Sequence, residues 1–281
     1  MSRYVYDVNG VVLTEAYSSN STLLPSVYDI NDVEIPFTTP DPSVFLDTAV
    51  ITALPSISVS GIKQGACTDG TYIYQICFDS SSYTSGKFIK YKISDGTYTT
   101  TSFDGSINFG HGNDMLYNPN NQHIYVACMT DDGAVQELTN TFEYVTTHYV
   151  IGQSGSTYKV WQFCYDQNTD RIYITNLKNG VTGMSIYDQN FNLLSWVQIP
   201  THPEATAQGC ETDGNYIYRV TYNPNYIEVC TIDGEYVKTI NNPATGEPET
   251  LSYNWDTGEF YLSKYAASNF FQKIQLYEED N

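Results

Sequence analysis

The sequence predicts an all-β chain built from one repeated unit. Three observations lead there. Tyrosine is lopsidedly common, with 26 Tyr against 12 Phe and 3 Trp, and Thr, Val and Ile are abundant; these side chains suit pleated, half-buried surfaces. Good helix formers make no long run, and no helical period appears. A segment of about 45 residues recurs along the chain, each copy reading as two hairpins.

Taken in order, residues 1–45 stand apart. YDVNGVVL (6–13) and YDINDVEI (28–35) are near copies spaced by 22 residues. Each predicts a small hairpin turning at Asn-Gly or Asn-Asp. A polar spacer (16–26) separates them, and a stiff Pro-rich linker (35–43) follows. Two such weak hairpins bury little on their own. They are expected to form an attachment or oligomerisation arm that completes its core against another chain.

AVITALPSIS (49–58) then reads as a lone strand. The repeats follow. QGACTDGTYIY (64–74) and QGCETDGNYIY (208–218) are the closest pair; looser copies start at residues 113, 161 and 249. Their aromatic pairs end at Tyr74, Tyr125, Tyr173, Tyr218 and Tyr261, at steps of 51, 48, 45 and 43 residues. Each copy is a mixed strand, a turn of Asp, Asn, Pro or Gly, and an apolar-aromatic strand. A second hairpin follows at 88–103, 134–150, 183–199 and 226–240. The Asp-Gly turns at 69–70 and 213–214 read as ordinary two-residue hairpin turns rather than cation loops. Four strands per unit and five units predict a five-bladed β-propeller over 46–281. The last unit has only three strands, so the 49–58 strand is expected to complete it and close the ring, leaving no open edge.

The totals narrow the function. Twelve basic residues face 32 acidic ones, a formal net charge of −20. Such a surface repels phosphate backbones and anionic lipid, which argues against nucleic acid and membrane insertion. The six cysteines show no CxxC or zinc spacing and read as small, partly buried, reduced thiols. The start has no apolar leader, so the chain is expected to fold in a cytoplasm.

The Tyr-Asp-Val/Ile-Asn-Gly/Asp-x-x-Leu/Ile repeats at Tyr6–Leu13 and Tyr28–Ile35 resemble the short N-terminal repeats of phage tail and fibre proteins. The chain from about residue 61 looks like the propeller modules of such proteins. The resemblance implies a non-enzymatic virion structural protein, made in the host cytoplasm and present in multiple copies. Residues 1–45 would hold other virion proteins, and the body would bind a host-surface glycan or protein. No lipase, G-x-S-x-G or H-E-x-x-H motif accompanies it.

Candidate site residues come from the strand starts. Aligned on the aromatic pairs, Gln64, Asn113, Trp161, Gln208 and Glu249 fall at one height. Asp114, Gln162 and Thr250 follow, and His111 lies just outside. Three readings stay open for this ring at one mouth of a central channel. Its members hydrogen-bond neighbouring blades and water; or they form a sugar pocket with Trp161 as stacking face; or they form a metal or hydrolytic site. In the third reading no cofactor other than Ca2+ is implied. There His-x-Asn-Asp is similar to the Asn-Asp of calcium-dependent lactonase propellers, and Asp114 with Glu249 would be the catalytic carboxylates of a lactonase or glycoside hydrolase. A free lectin with one site per blade is a further alternative. His123, His148 and His202 are expected among solvated turns and outer strands.

Overall fold

The computed structural model describes strand residues 5–6, 12–13, 27–28 and 34–35, and residues 42–278 except 153–158, 179–180, 200–205 and 267. Two compact units appear, Met1–Pro42 and Ser43–Asn281. In the first, β1 (Val5–Tyr6) pairs antiparallel with β2 (Val12–Leu13), and β3 (Val27–Tyr28) with β4 (Glu34–Ile35). The registers Val5↔Leu13 and Val27↔Ile35 are equivalent in the two sequence copies. The expected Asn-Gly and Asn-Asp turns lie outside the described residues.

A single 3-10 turn, Pro42–Val44, leads into the second unit, whose first strand is β5 (Phe45–Ala53). Four antiparallel sheets of four strands follow in chain order. The first holds β6 (Ile62–Thr68), β7 (Tyr72–Phe78), β8 (Gly86–Lys92) and β9 (Tyr98–Phe103). The second holds β10 (Asp114–Asn118), β11 (His123–Ala127), β12 (Ala134–Thr139) and β13 (Tyr144–Tyr149). The third holds β14 (Gln162–Asp166), β15 (Arg171–Lys178), β16 (Val181–Asp188) and β17 (Leu193–Gln198). The fourth holds β18 (Thr206–Thr212), β19 (Tyr216–Tyr222), β20 (Tyr226–Thr231) and β21 (Tyr236–Asn241). Finally β22 (Glu247–Asn254), β23 (Glu259–Tyr265) and β24 (Phe271–Tyr277) pair in sequence, and β5 adds antiparallel to β24. One parallel bridge, Asn241↔Thr48, also joins β5 to β21.

Burial follows the residue chemistry of each strand. Apolar-aromatic β7 is almost wholly buried, whereas β9, reading YTTTSF, is exposed. First strands lie against first strands: β6 on β10, β10 on β14, β14 on β18, β18 on β22, and β22 on β6. The apolar clusters sit between successive sheets, and one of them packs Tyr261, Phe270 and Phe271 of β22–β24 and their loops against Ile73, Ile89 and Tyr91 of the first sheet. All six cysteines are buried and free.

The two closest sequence copies are copies in detail. Asp69 Oδ1 accepts from the backbone N–H of Thr71 and Tyr72, and its Oδ2 accepts from Tyr74 Oη at 2.6 Å. Asp213 does the same with Asn215, Tyr216 and Tyr218 Oη at 2.7 Å. Thr68 and Thr212 hydroxyls each close the same turn. The Asp69 N–H bonds Tyr72 O, so the tip residues are Gly70 and Thr71 rather than the Asp-Gly pair expected. The Gln-Gly glycines answer a close approach: a Cβ on Gly65 would lie 2.6 Å from Asp114 Cα, and one on Gly209 2.3 Å from Thr250 Oγ1.

Two expectations need correction. The strand placed at 49–58 runs over 45–53, because Phe45 is drawn into the core, 5.1 Å from the Tyr216 ring and 4.9 Å from that of Tyr277, while Pro55 removes a ladder donor. The segment after it is fastened by side chains instead: Lys63 Nζ donates to Val59 O and Gly61 O, and Tyr91 Oη to Pro55 O. His123 and His148 are not solvated. Both rings are half-buried against Glu137 on β12, with His123 Nδ1 and His148 Nε2 each 2.6 Å from its carboxylate. They point to the same sheet face because residues on neighbouring strands stack in register. His202 lies outside the described residues.

Candidate functional site at the strand starts

The first strands bring the expected residues together, in two tiers. The inner tier is filled. Asp114 is fully buried, and its carboxylate accepts four hydrogen bonds: Oδ1 from Met115 N (3.0 Å) and Thr250 Oγ1 (2.6 Å), Oδ2 from Phe163 N and Cys210 N (3.0 Å each). One side chain on β10 thus reaches β14, β18 and β22. Burial pushes its pKa up, and the four donors pull against that. Gln162 is equally occupied. Its Nε2 donates to Gly209 O (2.9 Å) and Val220 O (3.2 Å), and its Oε1 accepts from Thr175 Oγ1 (2.8 Å). These groups are struts, as buried polar atoms with full partners are.

The outer tier is only partly occupied. Asn113 Nδ2 donates to Trp161 O (2.6 Å) and Gln208 O (2.8 Å). Its Oδ1 must therefore accept from His111 Nδ1, 3.0 Å away, which sets the imidazole tautomer. Burial holds the His111 pKa below its ordinary value. The His111 ring packs on Tyr83 with centroids 4.6 Å apart. Gln208 Nε2 donates to Glu247 Oε1 (2.8 Å). Trp161 gives its carbonyl to Asn113 and is itself 38% exposed.

Two members of this tier have unmet polar atoms. Glu249 is 1% exposed, and neither carboxyl oxygen has a hydrogen-bond partner. Gln64, 5% exposed, has an unpartnered Oε1. Burial, and then the neighbouring Glu247 carboxylate, push the Glu249 pKa well above the ordinary carboxylate range. Burial raises the Tyr83 pKa as well, with Glu249, Glu247 and Tyr265 adding to the rise. These interactions bring residues of the fifth sheet, the β7–β8 loop and the β9–β10 loop together beside the strand starts.

Asp114 and Glu249 are therefore not an equivalent pair of free carboxylates: the first is a strut and only the second is unpartnered. Among the described residues no group of three or more His, Cys, Asp or Glu is placed to hold a metal ion. Sequence reasoning missed Glu247 and Tyr83. Glu247 was reachable, since Glu-Pro-Glu sets two carboxylates two apart on a strand start. Tyr83 lies in a loop with no repeat to align, and only the structure brings it in.

Comparison with known proteins bears on the fold. No family model matches the chain, and no curated protein matches it. Among solved structures, glutaminyl cyclase of Myxococcus xanthus is similar at a TM-score of 0.59 and 13% identity, over 83% of this chain and 99% of that one. Hydrazine synthase of Kuenenia stuttgartiensis matches at a TM-score of 0.44 and 14% identity, over 72% of this chain and 61% of that one. The first likeness supports an all-β, β-propeller-like fold.

Proposed function

We propose that this chain is a non-enzymatic binding module: five blades about one axis, clasped by β5, with a ligand pocket at the axial mouth that holds Glu249. The return of β22 onto β6 and the β5–β24 pairing support the ring. The N-terminal repeats and their resemblance support a role as a phage tail or fibre component, fastened by residues 1–45 and presenting the body to a host-surface glycan. Several copies on one particle would turn weak single-site binding into firm adhesion.

The observation that carries the pocket is the buried Glu249 carboxyl with neither oxygen partnered, on a strand packed against the one that carries the equally unpartnered Gln64 Oε1. Leaving buried polar atoms unbonded costs about 1–3 kcal/mol each, a cost that a ligand supplying hydrogen bonds would remove. Full occupation of Asp114 and Gln162 explains why the inner tier would not take part.

A glycan array with the parent and E249A tests this reading. Hits with the parent that weaken in the variant are expected; an array without hits would refute it. For the virion role, a chain starting at Ser43 should fold yet fail to enter particles, and normal incorporation would exclude the tether.

One observation favours a second reading. A buried carboxyl with a raised pKa is also suited to proton transfer, and the likeness in fold is to a glutaminyl cyclase. Ammonia release from peptides that begin with glutamine, abolished in E249Q, would make the chain an enzyme instead.

A further inference from the structure

An open cavity of about 430 Å³ lies where the coil after β5 meets the start of β6 and the end of β23. Ser58 to Gly61, Lys63 and Tyr265 are among the residues that line it. Lys63 is 2% exposed. Its Nζ donates to Val59 O at 2.6 Å and to Gly61 O at 3.1 Å, and it lies 5.0 Å from the centroid of the Phe270 ring. The cavity wall thus takes two of the three N–H donors of an ammonium, and among the described residues no oxygen accepts the third. The other two carbonyls of the stretch are occupied as well: Ser58 O accepts from Tyr98 Oη at 3.4 Å, and Ser60 O from Cys77 Sγ at 3.3 Å. With every carbonyl from 58 to 61 already accepting a hydrogen bond, the wall has chiefly donors left to offer. They are the third Lys63 N–H and the hydroxyls of three exposed residues, Ser58, Ser60 and Tyr265.

Lys63 has no counter-charge within the protein. The groups whose charge acts on it are Cys77, in register with it on β7, and Lys87, in register with Cys77 on β8. Burial pushes the Cys77 thiol up from its ordinary value, so it keeps its proton near neutral pH. Lys87 is a second cation, with Asp79 3.7 Å from it. Glu247 stands opposite Tyr265 in register, but its Oε1 is bonded by Gln208 Nε2 and it does not act on Lys63. Lys264, the residue before Tyr265, is itself buried and does not line the cavity. A buried charge without an opposite partner is costly, and here the unpaired cation borders open space into which an anion can enter.

We propose that this cavity binds an acidic sugar unit carrying one negative charge, a carboxylate or a sulfate ester, with the anionic group at Lys63 and the sugar ring against Tyr265. One buried cation matches one negative charge, and the overall charge of −20 disfavours ligands with more. The volume falls in the range of small-molecule pockets. Hydroxyl side chains suit sugar hydroxyls, and Tyr265, 45% exposed, offers an aromatic ring to a pyranose. The fastened carbonyls hold the wall in place before a ligand arrives, which lowers the ordering cost of binding. Glu249 is not among the lining residues, so this is a second site, beyond the pocket proposed around Glu249.

The test is calorimetric titration of the full chain at about pH 7, where carboxylates and sulfate esters are ionised. The probes are glucuronate, glucose 6-sulfate, the uncharged glucuronamide, and N-acetylglycine as a carboxylate without a sugar. One or both of the charged sugars should bind, and glucuronamide and N-acetylglycine should bind at least about tenfold more weakly. K63M should weaken the charged sugar at least about tenfold, and Y265A about fivefold. Failure of both charged sugars to bind would overturn the proposal. Glucuronamide as tight as glucuronate would remove the charge from it, and N-acetylglycine as tight as the sugars would remove the saccharide class. K63M also loses the tether to Val59 and Gly61, so circular dichroism checks its folding; a folded K63M that binds like the parent would refute the assignment to Lys63. The comparison among probes uses the parent alone and decides the ligand class whether or not K63M folds, and Y265A, changed at an exposed position, then locates the site: unaltered binding there would place the sugar elsewhere.

Discussion

Asparagine at position 114 would keep the size of the side chain and exchange one acceptor oxygen for a donor. Asp114 accepts from four groups on four different sheets, so the amide would face at least one backbone N–H that it cannot satisfy. Buried donors left unbonded cost about 1–3 kcal/mol each. D114N is therefore expected to lower unfolding stability by about 2–4 kcal/mol in urea titration. A variant as stable as the parent would show that these bonds contribute little. The same residue shows where sequence reasoning stopped. The repeat placed Asp114 at the start of a first strand, but a carboxylate at that height reads equally as a strut, a ligand or a nucleophile. Only the positions of Phe163 N, Cys210 N and Thr250 Oγ1 separate these roles, and they belong to strands 49 to 136 residues away.

At the scale of elements, β5 is the strand that short-range pattern served least well. Its neighbours are β24 and β21, more than 180 residues later, so nothing local fixes its ends. Phe45 is 1% exposed among Tyr216, Tyr218 and Tyr277, and Tyr277 Oη also bonds Asp213 Oδ2 at 2.5 Å. F45A should cost about 3–5 kcal/mol by thermal or chemical unfolding, as other buried Phe truncations do. A negligible change would mean that β5 is not integral to the fold. The hairpins, by contrast, were legible, because turn residues and alternation are local signals. The imidazole pair on Glu137 was not, since it joins three adjacent strands. Burial raises the Glu137 pKa, but hydrogen bonds from His123, His148 and Tyr125 outweigh this and hold it below the ordinary carboxylate value. A depressed carboxylate contributes stability present above its unfolded pKa and lost as pH falls through its folded one. E137Q should thus unfold about 1–2 kcal/mol more easily near pH 7, and the gap to the parent should close in acid, below about pH 4. A gap independent of pH would remove the ionised carboxylate from the account.

For the molecule as a whole, the repeat of about 45 residues made the all-β, sheet-by-sheet plan readable. Each unit must bury its apolar faces against its neighbours, so the same strand grammar returns five times. The Gln-Gly and Thr-Asp-Gly copies have local causes: close approach of the next strand at Gly65 and Gly209, and turn closure by Asp69 and Asp213. What the repeat could not reveal was its own asymmetry. Three of the five outer-tier positions, Asn113, Trp161 and Gln208, give a group to the hydrogen-bond network at the strand starts, but Gln64 Oε1 and both Glu249 oxygens have nothing to bond. A deviation of this kind from an otherwise consistent pattern is where function is expected.

The most direct check is infrared difference spectroscopy of the parent against E249Q near neutral pH. A protonated carboxyl band should be present in the parent and absent from the variant. A parent spectrum in which Glu249 is already ionised would contradict the account of this pocket.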